Sequence, residues 1–111
     1  MPYIELKTNG KIADREALKR TFGEEIRLIS GKTERWLMVS LEDGCDMCFA
    51  GSSDPCAIAK VSLFGKASDA DYDNLTEALC ATLSEELSIP ADRIYIKYEE
   101  ISHWGWNGGN F

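Results

Sequence analysis

Residues 3–8, Tyr-Ile-Glu-Leu-Lys-Thr, alternate apolar and polar side chains, which is the period of a half-buried strand. The period then changes. Leu18, Phe22, Ile26 and Ile29 recur at helical spacing, Asp14 is placed to cap, and a helix to about Ser30 is predicted, with Gly31 as its stop. Gly23 falls inside that helix and should weaken it by about 1 kcal/mol relative to Ala. Residues 36–42, Trp-Leu-Met-Val-Ser-Leu-Glu, read as a second, largely apolar strand. The pattern then repeats. Residues 57–64 read as a strand. Ser68 and Asp71 resemble a capping box, with Asp in place of Glu. Tyr72, Leu75, Leu79, Leu83 and Leu87 line one face of a second helix, Pro90 lies just beyond its end, and residues 94–99 form another strand.

Strand, helix, strand, twice over, predicts two βαβ units. The fold class is therefore α/β, or α+β: a single domain over residues 1–111 with a four-stranded mixed sheet. Right-handed crossovers put both helices on one face of that sheet. Strands apolar on both sides need burial on both. A sheet from a neighbouring subunit is the expected cover, so an oligomer is anticipated from patterning alone.

Composition narrows the role. The net charge is −7, from 19 acidic and 12 basic residues, and such a chain repels phosphate backbones. No nucleic-acid partner is expected. No apolar stretch approaches the roughly 20 residues of a membrane span, and no leader-like segment is visible, so the expected address is the cytoplasm. The four cysteines, Cys45, Cys48, Cys56 and Cys80, are expected as free thiols. Cys45 and Cys48 have CxxC spacing, open to a redox reading or to two unlinked thiols. With no second CxxC and His103 as the only histidine, a complete tetrahedral metal site is hard to assemble, and no Ser-His-Asp pattern can be placed. No phosphate-cradling glycine loop is present, and no cofactor is expected.

The remaining chemistry starts at the amino end. Removal of Met1, favoured by a small second residue, leaves Pro2 with a free secondary amine. An α-amine titrates near 7.7–8.0, and burial or nearby positive charge lowers that value into the range where one group can both take and give a proton. Met-Pro by itself is equally the start of an edge strand. Lys32, after Gly31, can hold a carboxylate as a point charge or simply complement a helix end. Tyr95 and Lys97 share one face of the last strand. Trp104-Gly105-Trp106-Asn107-Gly108-Gly109-Asn110-Phe111 offers two indoles to wall a pocket, or a frayed tail.

Together these segments resemble the macrophage migration inhibitory factor family, which includes D-dopachrome tautomerase. The matching pieces are Met1-Pro2, Thr8-Asn9, Ser30-Gly31-Lys32, the run Gly51 to Ala57, Gly65-Lys66, Asp92 to Ile96, and Gly105-Trp106-Asn107-Gly108. The resemblance implies a homotrimer of sheets with active sites at subunit interfaces. It implies a cofactor-free isomerase that interconverts keto and enol forms of phenylpyruvate-like aromatic α-keto acids. Pro2 would be the acid–base and Lys32 the carboxylate ligand. Tyr95 would come from the adjacent subunit, and Trp106 would be part of an aromatic wall. Animal members also act as cytokines exported without a leader, so a cell-surface receptor and a relic pocket form the alternative reading.

The sequence departs from the family pattern at several of these positions. Phe64 follows Ser62-Leu63 where the family commonly has His-Ser-Ile, and it can still line an apolar pocket. Lys97 replaces a frequent Asn and adds positive charge. Trp36 and Trp104 stand where Tyr and a small aliphatic residue are usual, and both narrow the pocket mouth. Ala59 removes the partner that Cys56 would need for the redox pair of the animal cytokine. If Met1 is retained, the Pro2 nitrogen is an amide and the chain should be inactive.

Overall fold

A computed structural model describes residues 1–111. Strand β1 (Pro2–Thr8) leads to helix α1 (Arg15–Glu25) and strand β2 (Met38–Glu42). Strand β3 (Ala57–Phe64), helix α2 (Asp69–Leu87) and strand β4 (Ile94–Ile101) repeat the unit. The sheet order is β2-β1-β3-β4. β1 runs parallel to β2 and antiparallel to β3, and β3 runs parallel to β4. A hairpin of β5 (Gly105–Trp106) and β6 (Gly109–Asn110) closes the chain. This is the mixed four-stranded sheet with two helices that the patterning predicts.

The core lies between sheet and helices. Ile4, Leu6, Ala59, Val61 and Leu63 face Leu18, Phe22, Leu75, Leu79 and Leu83, all fully buried or nearly so. The second helix starts where its cap predicts, with the Ser68 hydroxyl accepting from the Asp71 N–H at 3.1 Å. The box is not reciprocal. The Asp71 carboxylate accepts instead from the Ser30 N–H at 3.0 Å, tying the turn after the first helix to the second helix.

The first helix is shorter than its apolar period implies. It ends at Glu25 and tightens into a 3-10 turn over Ile26–Leu28, which still delivers Ile26 and Ile29 to the core. Gly23 is less a defect than a gap that is used: a Cβ there would lie 2.5 Å from the Glu34 carboxylate. Trp36, the first residue of the expected second strand over 36–42, instead ends another 3-10 turn, Glu34–Trp36, and β2 starts at Met38. That turn leaves the Trp36 side chain outside the sheet.

The open face of the sheet corrects one expectation. It is charged, not apolar. Lys60 bridges Glu5 at 3.3 Å and Glu99 at 4.0 Å, Lys7 reaches Glu5 and Glu42 at 3.7 Å, and Ser62 donates to Glu99 at 3.1 Å. Burial works to raise the Glu5 carboxyl, but Lys60 and Lys7 outweigh it and hold it below its ordinary range. The alternation that buries Ile4 and Leu6 turns Tyr3, Glu5 and Lys7 to this side. Of the exposed large apolar residues, Met38 and Tyr95 lie on the outer strands of this same face, while Trp36, Trp106 and Phe111 lie off the sheet. No helix is long and apolar enough to cross a membrane.

Leu79 is fully buried in the core that α2 shares with the sheet and α1, so Leu79→Ala should cost about 2–5 kcal/mol in urea unfolding through the cavity it leaves. A loss under about 1 kcal/mol would mean that this core is not assembled as described.

Candidate functional site

The start of β1 is an interior position, because β1 is paired on both edges. Pro2 is buried and lies opposite Leu63 of β3. Proline donates no backbone hydrogen bond, so the first residue of a strand is one of the few places in a sheet that suits it. Just beyond it, the Phe64 N–H donates to the Met1 carbonyl at 3.0 Å.

Lys32 reaches the same point from the other side. The chain leaves buried Ile29, the Lys32 N–H closes a turn on the Ile29 carbonyl at 3.0 Å, and Gly31 takes a φ of +80°, a left-handed conformation that favours glycine. The Lys32 Nζ then donates to the Phe64 carbonyl at 3.3 Å. Its charge is felt at the chain start. The Met1 α-amine is held below its ordinary value, first by burial and then by the Lys32 ammonium. Both causes lie in the surroundings of the Met1 nitrogen, one residue before the Pro2 nitrogen.

A cavity of about 480 Å³ opens over this point. Met1, Pro2, Tyr3, Arg35, Trp36, Leu37, Met38, Trp104, Gly105 and Trp106 line it. That size and apolar character suit a small organic ligand. Trp36 and Trp106 meet edge-on, with ring centroids 5.0 Å apart and planes at 88°. Trp106 stacks on Phe111 at 6.2 Å, and Phe111 meets Phe64 at 5.6 Å, so the tail folds back over the end of β3.

The tail is built, not frayed. Asn107 (φ 51°) and Gly108 (φ 83°) make a two-residue turn with both central residues left-handed, and the Phe111 N–H donates to the Trp104 carbonyl at 3.0 Å. Asn-Gly between short extended segments is a hairpin signal that the glycine content had masked. Arg35 and Phe111 were also not singled out from the sequence. Arg35 lines the cavity with its guanidinium carbon 5.1 Å from the Trp36 ring centroid. Only its place beside Trp36 hinted at this.

Pro2, Lys32, Trp36, Phe64, Trp104 and Trp106 therefore converge within one chain. Tyr95 and Lys97 do not join them. Tyr95 pairs with Ile58, five positions along β3 from the Leu63 that faces Pro2, or roughly 17 Å at strand spacing. Lys97 stands beside Lys60 on the charged face, without a carboxylate partner. Tyr95 is instead met edge-on by Phe49, 4.9 Å between centroids. The CxxC thiols are free, and Cys45 points its thiol at the Glu42 carbonyl, 3.7 Å away. No group of three or more potential metal-ligating side chains comes together.

The edge contact of Trp36 and Trp106 is a spectroscopic handle on this cavity. Trp106→Ala should abolish most of the near-ultraviolet dichroism that the coupled indoles produce, while leaving the far-ultraviolet spectrum intact. An unchanged near-ultraviolet spectrum would show that the hairpin does not hold this position in solution.

The whole chain, residues 1–111, matches the family model described as macrophage migration inhibitory factor. It is 32% identical to the macrophage migration inhibitory factor of Rattus norvegicus, over 100% of this chain and 99% of that protein. It is 30% identical to the homolog from Brugia malayi, with the same coverage. Among solved structures, Leishmania major MIF2 superposes with a TM-score of 0.90 at 30% identity, covering 100% of this chain and 97% of that one. The homologue from Prochlorococcus marinus gives 0.90 at 31%, covering 98% of each.

Proposed function

The chain belongs to the macrophage migration inhibitory factor family, and from that premise we propose that it is a cofactor-free keto–enol tautomerase. Its substrates are aromatic α-keto acids of the phenylpyruvate type, and the amine of Pro2, set free by removal of Met1, is the general acid–base. The observation that carries this reading is the convergence at the head of β1. A buried proline, a lysine ammonium and an aromatic cavity meet where an α-amine has its basicity lowered by burial and by Lys32.

The chemistry follows from that geometry. With Met1 gone, the Phe64 N–H loses its carbonyl partner and becomes a free donor beside the Lys32 ammonium. Two donors of this kind suit a carboxylate, with Lys32 giving the charge and the backbone giving direction. Arg35 adds a second cation at the cavity edge. The aromatic ring of the substrate then lies against Trp36, Trp104 and Trp106. The neutral Pro2 amine takes a proton from the carbon next to the carbonyl, and the resulting ammonium returns one to form the other tautomer. A single group serves both directions because lowered basicity lets the neutral amine take the proton and the ammonium give one back. No electron changes hands, so the reaction needs no redox partner.

The site is completed in an assembly. Strands β2 and β4 have free edges, which are templates for pairing with another chain. Exposed Met38 lies on one and exposed Tyr95 on the other. A homotrimer joined at these edges brings Tyr95 and Lys97 of one copy to the Pro2 cavity of the next. The charged sheet face is then left toward a wet interior, which its ion pairs suit better than a dry interface.

Replacing Pro2 with Gly in the processed chain should reduce phenylpyruvate tautomerisation by about 10²–10⁴-fold, the usual share of a general acid–base. The proposal fails if the starting protein shows only the background rate between pH 6 and 8. Lys32→Gln should raise KM and also move the acidic limb of kcat/KM to higher pH, because removing the ammonium lets the amine pKa rise. A limb that stays in place would sever Lys32 from the amine.

A further inference from the structure

Three sequence motifs have no part in the Pro2 cavity: Thr8-Asn9, the run from Gly51 to Ala57, and Asp92-Arg93. They meet in one place. Arg93 donates to four carbonyls of the segment before β3: Pro55 at 2.9 Å, Ser52 and Asp54 at 3.1 Å, and Phe49 at 3.2 Å. Its guanidinium carbon also lies 5.2 Å from the Phe49 ring centroid. Asn9 grips the same segment from the end of β1. Its amide donates to the Ser53 and Asp54 carbonyls at 3.0 and 3.1 Å, and its carbonyl accepts from the Cys56 N–H at 2.9 Å. Thr8 donates to the Cys56 carbonyl at 2.8 Å.

This is far more restraint than a surface connector needs. The segment contains Ala50 at a φ of 53°, a left-handed conformation costly for a residue with a Cβ and kept only where the surroundings impose it. Phe49 and Ser52 close on each other through paired backbone hydrogen bonds of 2.9 and 3.0 Å. What the restraint delivers is the Phe49 ring, set edge-on to Tyr95 at 72°. Tyr95 is otherwise 59% exposed, and its hydroxyl makes no hydrogen bond within the chain.

We infer that Asn9 and Arg93 are positioning residues: they clamp the segment from 49 to 56 so that Phe49 fixes the orientation of Tyr95 for use at the cavity of a neighbouring copy. This rests on the tautomerase reading for its use, but not for its geometry. Arginine suits the task because its planar fork reaches several carbonyls at once, whereas lysine has one flexible ammonium. The outward-facing ring therefore loses little freedom when a substrate or a second chain meets it.

The test uses the full chain labelled with fluorotyrosine, with the Tyr95 resonance assigned through Tyr95→Phe. Arg93→Lys and Asn9→Ala each act on the clamp without altering Tyr95 or Phe49. Each should shift or broaden the Tyr95 fluorine line. Each should also raise KM for phenylpyruvate about three- to tenfold, the scale of one aromatic pair, with kcat changed less than about twofold. In a Tyr95→Phe background the same substitutions should add little to KM. Asn9→Ala decides the matter if Arg93→Lys does not fold. A Tyr95 line unmoved by the clamp variant would overturn the inference. So would a fall in kcat with KM unchanged. If the unsubstituted protein proves inactive, the tautomerase reading fails, and the fluorine line still decides whether the clamp sets Tyr95.

Discussion

Everything at the candidate site follows from β1 being hydrogen-bonded on both edges. An amino terminus is usually a solvated end of the chain. Here β1 lies between β2 and β3, so its first residue is placed inside the sheet, opposite Leu63. Burial that would cost an ordinary terminus its charge becomes useful under the proposed function, in which the terminal amine is the acid–base. Burial at the head of this sheet lowers the basicity of the Met1 α-amine. The Lys32 ammonium, brought in by the turn at Gly31 and held on the Phe64 carbonyl, lowers it further.

The two halves of the pseudo-repeat have diverged in what they carry beyond the core. The turn between α1 and β2 presents Arg35 and Trp36 to the cavity and holds Lys32 on the Phe64 carbonyl. The corresponding turn after α2 presents Arg93, which turns inward and holds a backbone segment. One connection thus serves the cavity of its own chain, and its counterpart shapes an outward-facing aromatic edge. Such a division suits a site assembled from more than one copy, because each chain then offers both a cavity and a wall.

Much of this was legible in the residues, and the failures have physical reasons. Residues 57–64 read as a strand because they are apolar and bounded by turn residues, and the structure has β3 over that span. Ser68 was recognisable as a cap because the capping bond is local. The end of the first helix was not, because the apolar spacing runs on through Ile26 and Ile29, which stay buried although the backbone tightens into a 3-10 turn after Glu25. The open sheet face was misjudged because the apolar weight of β2 and β3 drew attention from Glu5, Lys7, Lys60 and Glu99. Those charges become neighbours only once the strands are in register. Pro2, Lys32 and Trp106 were visible as candidates through the family resemblance, but the Arg93 clamp was not. Its four acceptors are backbone carbonyls, which leave no trace in side-chain identity.

The account depends most directly on the basicity of the Pro2 amine. Labelling proline with nitrogen-15 in the chain that begins at Pro2, and titrating that one resonance, measures it without any assumption about substrate. The account predicts a midpoint clearly below the ordinary 7.7–8.0 of an α-amine, moving upward when Lys32 is replaced by Gln. A midpoint at or above the ordinary value, indifferent to Lys32, would contradict it.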